Sequence, residues 1–344
     1  MSHILGIDLG STMARAAVCA EETPRLLAAL PAVVAFPKKG DAVTGEVARR
    51  QAYINPSRSC TDILASISGT QRKVIDDQFY SCVEIAGILL RELRAMAQAA
   101  MGQEARRCVL SVPDAFGWAE RRALREAAAL AGLHVEGFVV EGCAAALAGG
   151  LPEGIGERIL VCDAGGGSFK ASVLEMGENN VKRLSCVTGI DSGGTDFDSC
   201  IAAWLLQRFR EDYGVDLSQD ANAMQRIMEA AELAKCQLSQ NSVTTVSIPY
   251  ITAEKDEALH LEYQFSRSLF YELATRLIRE MDVTVEKALE EGGEVQKTLI
   301  CGGGASMPAL REAVGRSAPV HKDSEKLCAM GAALAAKYNY ATET

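Results

Sequence analysis

The chain has 344 residues, of which 48% are hydrophobic and 23% charged, and a net charge of −10. That length and composition suit a soluble globular protein of two domains or two lobes with ample core. The acidic balance excludes the basic face that nucleic-acid binding needs, and no window of 18 uncharged apolar residues exists to span a membrane.

The N-terminal stretch Met1 to Asp8 has neither a basic n-region nor a long apolar run, so no signal peptide is expected. Eleven cysteines without any C-x-x-C pair read as reduced thiols in a cytoplasmic protein. His3, His134, His260 and His321 lack metal-ligand spacing.

In chain order, the pattern predicts a strand over 4–9, a turn at Gly10-Ser11-Thr12 and a returning strand over 14–20. A strand is expected over 30–36, a short helix over 43–52, and a polar, broken stretch over 53–77 with a turn at Asn55-Pro56. An apolar stripe marks a helix over 82–101. A strand over 108–112 stops at Pro113, and a helix over 118–131 ends at Gly132. A strand over 135–140 and a small-residue helix over 142–149 close the first half, with 150–157 as the passage onward.

The second half repeats this grammar. Strands are expected over 158–163, 169–175 and 181–188, a glycine loop over 189–198 leading into a helix over 197–212, and a further helix over 221–238. A hairpin is expected over 243–251 and 258–264 and one long helix over 269–289. A strand over 298–301, a loop at Gly302-Gly303-Gly304 and helices over 307–316 and 326–336 complete the chain. Strands alternating with helices in both halves make the fold class α/β.

Two loops carry the chemistry. Gly6-Ile7-Asp8-Leu9-Gly10-Ser11-Thr12 and Val161-Cys162-Asp163-Ala164-Gly165-Gly166-Gly167-Ser168 share a strand, an aspartate, glycine and a hydroxyl. Their separation of about 150 residues suggests duplicated lobes with one loop each. A turn without side chains leaves backbone N–H groups bare, and such nests bind phosphates. Asp8 and Asp163 at the strand ends would hold Mg²⁺ through water. Ser11, Thr12 and Ser168 are hydroxyl donors placed for the same anion, although ordinary turns use these residues too. No Gly-Lys-Ser/Thr follows either loop, and a strand rather than a helix comes next, so neither is a Walker A or a dinucleotide fingerprint.

With these pieces in order, the sequence resembles the DnaK-type 70-kDa heat-shock chaperones of the actin-like ATPase superfamily, over the ATPase domain alone. The resemblance implies two duplicated α/β lobes around a central nucleotide cleft, lobe I over 1–150 and lobe II over 151–344. It implies ATP or ADP with Mg²⁺ in that cleft, and a protein client or partner supplied in trans. The two loops resemble the family's two phosphate loops. Asp191-Ser192-Gly193-Gly194-Thr195-Asp196-Phe197-Asp198 is similar to the stretch that closes over the terminal phosphate, so Gly193, Gly194 and Thr195 become phosphate contacts. Glu232, Lys235 and Ser239 match the adenosine-binding helix, and Gly302, Gly303, Gly304 and Ser306 the last adenosine loop. Pro113, Arg121 and Glu141 match the family's proline switch, relay arginine and linker glutamate. Glu141 either orients water and relays to Pro113, or caps the helix that begins at Gly142.

The departures carry as much information. Leu64 stands where the family has a lysine near the γ-phosphate, and Lys73 lies outside that motif. Lys170 replaces a second aspartate, and Cys236 and Ser306 replace two arginines that sandwich adenine. The segment around 65–80 is shorter than in the family, and no linker or β-rich substrate domain is expected after the last helix. Strand alternation points Lys170 into the cleft, where its charge would replace the lysine absent at Leu64; the alternative is a lysine snorkelling to solvent. Asp8, Glu141, Asp163 and Lys170 are thus the candidate catalytic set. The expected function is ATP binding with slow hydrolysis in a chaperone-type switch. The competing readings are a non-hydrolysing sensor or scaffold, an enzyme-reactivation factor, and a small-molecule kinase, for which no added base motif is found.

Overall fold

The computed structural model describes residues 3–20, 22–150, 154–177, 180–254, 257–314 and 320–338. The first half opens with an antiparallel meander of β1 (Ile4–Leu9), β2 (Met13–Val18) and β3 (Arg25–Pro31). β1 is buried on both faces, which is why it reads as an apolar run rather than an alternation. The single strand expected over 30–36 is two. β3 ends at Pro31, and β4 (Val34–Ala35) belongs to a separate small sheet with β5 (Val43–Thr44) and, beyond α1 (Gly45–Ile54), β6 (Ser59–Cys60). Proline has no N–H with which to extend a ladder.

The stretch expected to be broken, 53–77, holds two 3-10 turns, Pro56–Arg58 and Ile63–Ser66, and the start of a hairpin, β7 (Arg72–Ile75) and β8 (Gln78–Ser81). α2 (Cys82–Met101) begins at a capping box: Ser81 Oγ accepts from Glu84 N, and the Glu84 carboxylate accepts from Ser81 N. It stops at Gly102, whose φ of +65° suits a residue without Cβ. β9 (Arg107–Val112), α3 (Trp118–Leu130), β10 (His134–Val140) and α4 (Glu141–Gly149) follow. β9 and β10 add in parallel to give the order β10-β9-β1-β2-β3.

The second half builds the same sheet again. β11 (Arg158–Ala164), β12 (Phe169–Met176) and β13 (Val181–Thr188) form the meander. α5 (Gly194–Tyr213), α6 (Ala221–Leu238), the hairpin β14 (Val243–Glu254) and β15 (Glu257–Ser266), α7 (Arg267–Leu273) and α8 (Thr275–Gly292) follow. The helix expected over 269–289 is broken at Ala274, so α7 and α8 are separate. β16 (Lys297–Cys301) joins β11 in parallel, giving β13-β12-β11-β16. Val320 bridges Ile300 in parallel, in the place that β10 takes in the first sheet. α9 (Pro308–Val314) and α10 (Leu327–Tyr338) complete the described chain. Residues 151–153 of the expected passage and 315–316 of the helix expected over 307–316 lie outside the described residues.

Each sheet has its own large core, and the last helix of each half lies against the other half. α4 buries Ala145 and Ala146 against Ile159, Val161 and Leu299 of the second sheet. α10 buries Ala329 and Ala333 against Ala17 of the first. A Cβ at Gly6 would fall on the backbone of Ala329 and Ala333, and one at Gly331 on that of Ala144. Only glycine permits those approaches. The exchanged helices hold the sheets so that the β1–β2 and β11–β12 turns face each other. No helix among the described residues is long and apolar enough to cross a membrane.

Candidate functional site

The two glycine turns close on themselves before they meet. Gly10 N donates to Met13 O at 2.9 Å and Gly165 N to Ser168 O at 3.0 Å. Their tips then touch: a Cβ at Gly166 would collide with the Thr12 side chain, and one at Gly167 would lie 2.9 Å from Ser11 Oγ. The start of α5 docks on the same tip. Gly194 N donates to Gly165 O, and both Thr195 N and Thr195 Oγ1 donate to Gly166 O, all at 2.9 Å. A Cβ at Gly193 would fall on the backbone of Gly166, Gly167 and Ser168. Gly194 and Thr195, expected in a loop, therefore form the first turn of the helix. Gly193 N donates to Asp196 Oδ2, so the N–H groups of 193–195 already have partners.

Strand register assembles the charges beneath these tips. Asp8 at the end of β1 lies opposite Arg15 on β2 and Ser111 on β9. Ser111 Oγ donates to Asp8 Oδ1 at 2.7 Å. Asp163 at the end of β11 lies opposite Lys170 on β12 and Cys301 on β16, and the buried Cys301 thiol bonds to its carboxylate. Burial pushes both aspartates above the usual carboxylate range, against the pull of Arg15 and Lys170.

Glu141 is the first residue of α4, and its Oε2 lies 2.5 Å from Lys170 Nζ. Their side chains are 10% and 18% exposed, so this is a buried ion pair rather than a snorkelling lysine. Burial raises Glu141 to about 7, and the like charges of Asp163 and Asp8 add to the rise that Lys170 opposes. Lys170 shifts upward too, because Glu141 and Asp163 outweigh its own desolvation. The two shifts agree once the neighbours are counted: Lys170 acts on Glu141, Asp163 and Asp8 alike. Glu141 is the acidic residue in the first turn of its helix, and its Oε2 accepts from Lys170.

On α6, Lys235 Nζ bonds Asp198 Oδ2 at 2.8 Å and Gly194 O at 2.9 Å, tying α6 to the start of α5. Glu232 Oε2 lies 2.7 Å from Arg49 Nη1 on α1, and Ser239 Oγ donates to Lys235 O. Gly302, with φ +86°, sits against Ala164 O, and Gly304 N donates to that same oxygen at 2.9 Å. A Cβ at Gly303 would meet nothing within 4 Å. Cys236 and Ser306 are exposed.

Leu64 packs into the first core and Lys73 Nζ reaches Pro56 O, so neither places a cation on the cleft floor. Arg121 Nε donates to Phe116 O and its guanidinium lies over the Phe138 ring. Beside Pro113, Asp114 pairs with Arg183 of the other half at 2.5 Å.

Sequence reading missed Ser111, Cys301, Arg15 and Arg49. The first two come within reach of the aspartates only through parallel pairing across more than one hundred positions. Arg15 carried a signal: it follows Asp8 by the same seven positions that separate Lys170 from Asp163. Among the described residues no group of three or more His, Cys, Asp or Glu side chains is arranged to hold a metal directly. Asp8 lies close enough to Asp163 to raise its proton affinity, and two neighbouring carboxylates fit a Mg²⁺ held through water on a phosphate. A family model described as Hsp70 protein matches residues 4–73 and 64–342 of the chain.

Proposed function

The chain belongs to the Hsp70 protein family, and on that premise we propose that it is a slow ATPase that works as a nucleotide-driven, chaperone-type switch. Membership supports a DnaK-like nucleotide-binding ATPase domain. ATP or ADP binds between lobe I and lobe II, with phosphates at the two glycine turns and the nucleoside between α6 and the 302–306 loop. Asp8 and Asp163 hold hydrated Mg²⁺, which supplies charge neutralisation to the phosphates. The client is supplied in trans, in the cytoplasm.

The observation that carries slow turnover is the Glu141–Lys170 pair at 2.5 Å. A carboxylate oxygen that already accepts from a lysine is not placed to accept from a water, whatever its proton affinity. While the pair holds, Glu141 does not activate water, and Lys170 does not reach phosphate. Bound triphosphate competes for Lys170, which then supplies the cation that Leu64 does not. The exposed Cys236 and Ser306 offer adenine no cation to stack on, a contact worth about 0.5–2 kcal/mol, so base selectivity is weak.

Phosphate release from ATP, with and without Mg²⁺, tests this reading in wild type and Lys170→Ala. Slow release that changes in the variant supports it. Rapid Mg²⁺-dependent turnover that survives Lys170→Ala overturns it. A second reading, a non-hydrolysing nucleotide sensor or scaffold, is favoured by Leu64 being packed into the core; nucleotide binding with no phosphate release in either condition selects it.

A further inference from the structure

The two halves repeat their charges as well as their strands. Asp8 faces Arg15 across β1 and β2 as Asp163 faces Lys170 across β11 and β12. Register partners share one face of a sheet, so each cation emerges beside its aspartate. Each cation is also held by a glutamate that precedes or begins an exchanged helix. Lys170 pairs with Glu141, which begins α4. Arg15 Nη2 lies 3.8 Å from Glu325 Oε2, in the turn that leads into α10. The fields of Arg15 and Lys170 each act on both Asp8 and Asp163. Two cations and two aspartates thus form one cluster on the floor between the glycine turns.

We propose that Arg15 is a second phosphate-binding cation, the first-half counterpart of Lys170, and that a bound polyphosphate draws both cations away from Glu325 and Glu141. The inference rests on nucleotide binding in this cleft and adds the residue that shares the phosphate charge. Arg15 is suited to the exchange. Its side chain is 13% exposed, whereas Glu325 is 54% exposed and returns to water at little cost. At 3.8 Å that pair is a loose one, and a guanidinium bonds phosphate through two parallel N–H groups. Two protein cations supply part of the charge that a hydrated metal supplies elsewhere. Polyphosphate binding in this chain therefore persists when Mg²⁺ is chelated.

The test is calorimetric titration of the full chain with ATP, adenosine and inorganic tripolyphosphate, in Mg²⁺ and in EDTA. Wild type is expected to bind ATP and tripolyphosphate in EDTA. Arg15→Gln should weaken both in EDTA by about tenfold or more, as expected for a lost charge-assisted bond, and leave adenosine unchanged. Unchanged ATP affinity in EDTA, or an equal loss for adenosine, overturns the role of Arg15. Glu325→Gln, on an exposed side chain, frees Arg15 without touching the floor; it should tighten tripolyphosphate about two- to threefold, and unchanged or weaker binding counts against the proposal. Tripolyphosphate bound through Arg15 while ATP is not bound leaves this inference standing and removes the nucleotide reading. Wild type that binds neither removes both.

Discussion

Arg49 Nη1 and Glu232 Oε2 lie 2.7 Å apart and join α1 of the first half to α6 of the second. The pair bridges the halves, so on the proposed reading, with the nucleoside against α6, it opposes opening. Both side chains are partly exposed, 32% and 49%, which limits the contribution to about 0.2–1 kcal/mol. Arg49→Ala is therefore expected to speed nucleotide release by up to about fivefold, and added salt should narrow the difference. Stopped-flow release of a fluorescent nucleotide measures it; equal rates at low salt would show that the pair does not gate the cleft.

Lys170 and Glu141 differ from that pair in being buried. Removing one partner strands the other charge, which typically costs about 3–5 kcal/mol. Lys170→Met alone should destabilise the chain by that order in urea unfolding. The double variant Lys170→Met with Glu141→Gln should recover most of the loss. Additive losses in the two single variants and the double would mean that the side chains do not interact.

Asp198 supplies a pH dependence with a definite sign. Burial raises its carboxyl from the ordinary 3.8 to about 6, against the pull of Lys235. The folded chain then holds a proton that the unfolded chain has released. Its stabilising contribution is complete below pH 3.8 and is lost as pH rises through about 6. Over that window wild type should lose up to about 3 kcal/mol relative to Asp198→Asn, with no further change above it. A parallel pair of stability curves between pH 4 and 6.5 would contradict the shift.

Two glycines of the site separate steric need from chain flexibility. At Gly193 a Cβ meets the backbone of Gly166, Gly167 and Ser168, which have no side-chain freedom with which to yield. Gly193→Ala should undock α5 from the second turn, cost about 1–3 kcal/mol and abolish nucleotide binding. At Gly303 nothing lies within 4 Å, so Gly303→Ala should bind nucleotide as wild type does. Thermal melts with and without ATP compare the two, and similar behaviour of the pair would refute the close approach at Gly193.

Much of this fold is written locally. The glycine turns after each aspartate and the apolar stripe of α2 are short-range patterns. They are legible because a strand, a tight turn and a helical stripe depend on neighbours in sequence. The errors fell where local signals run together: Pro31 split an apolar run into strands of two sheets, and Ala274 divided one periodic helix into two.

By itself the sequence determined that the chain has two duplicated α/β halves, each offering an aspartate and a glycine turn. Only the tertiary structure decided what surrounds those aspartates. Ser111 reaches Asp8 and Cys301 reaches Asp163 through parallel pairing, whose register is set by long crossovers rather than by a turn. Glu141 reaches Lys170 and Glu325 reaches Arg15 because α4 and α10 each pack against the opposite sheet, and a charge carried by an exchanged helix has no neighbour in sequence to announce it.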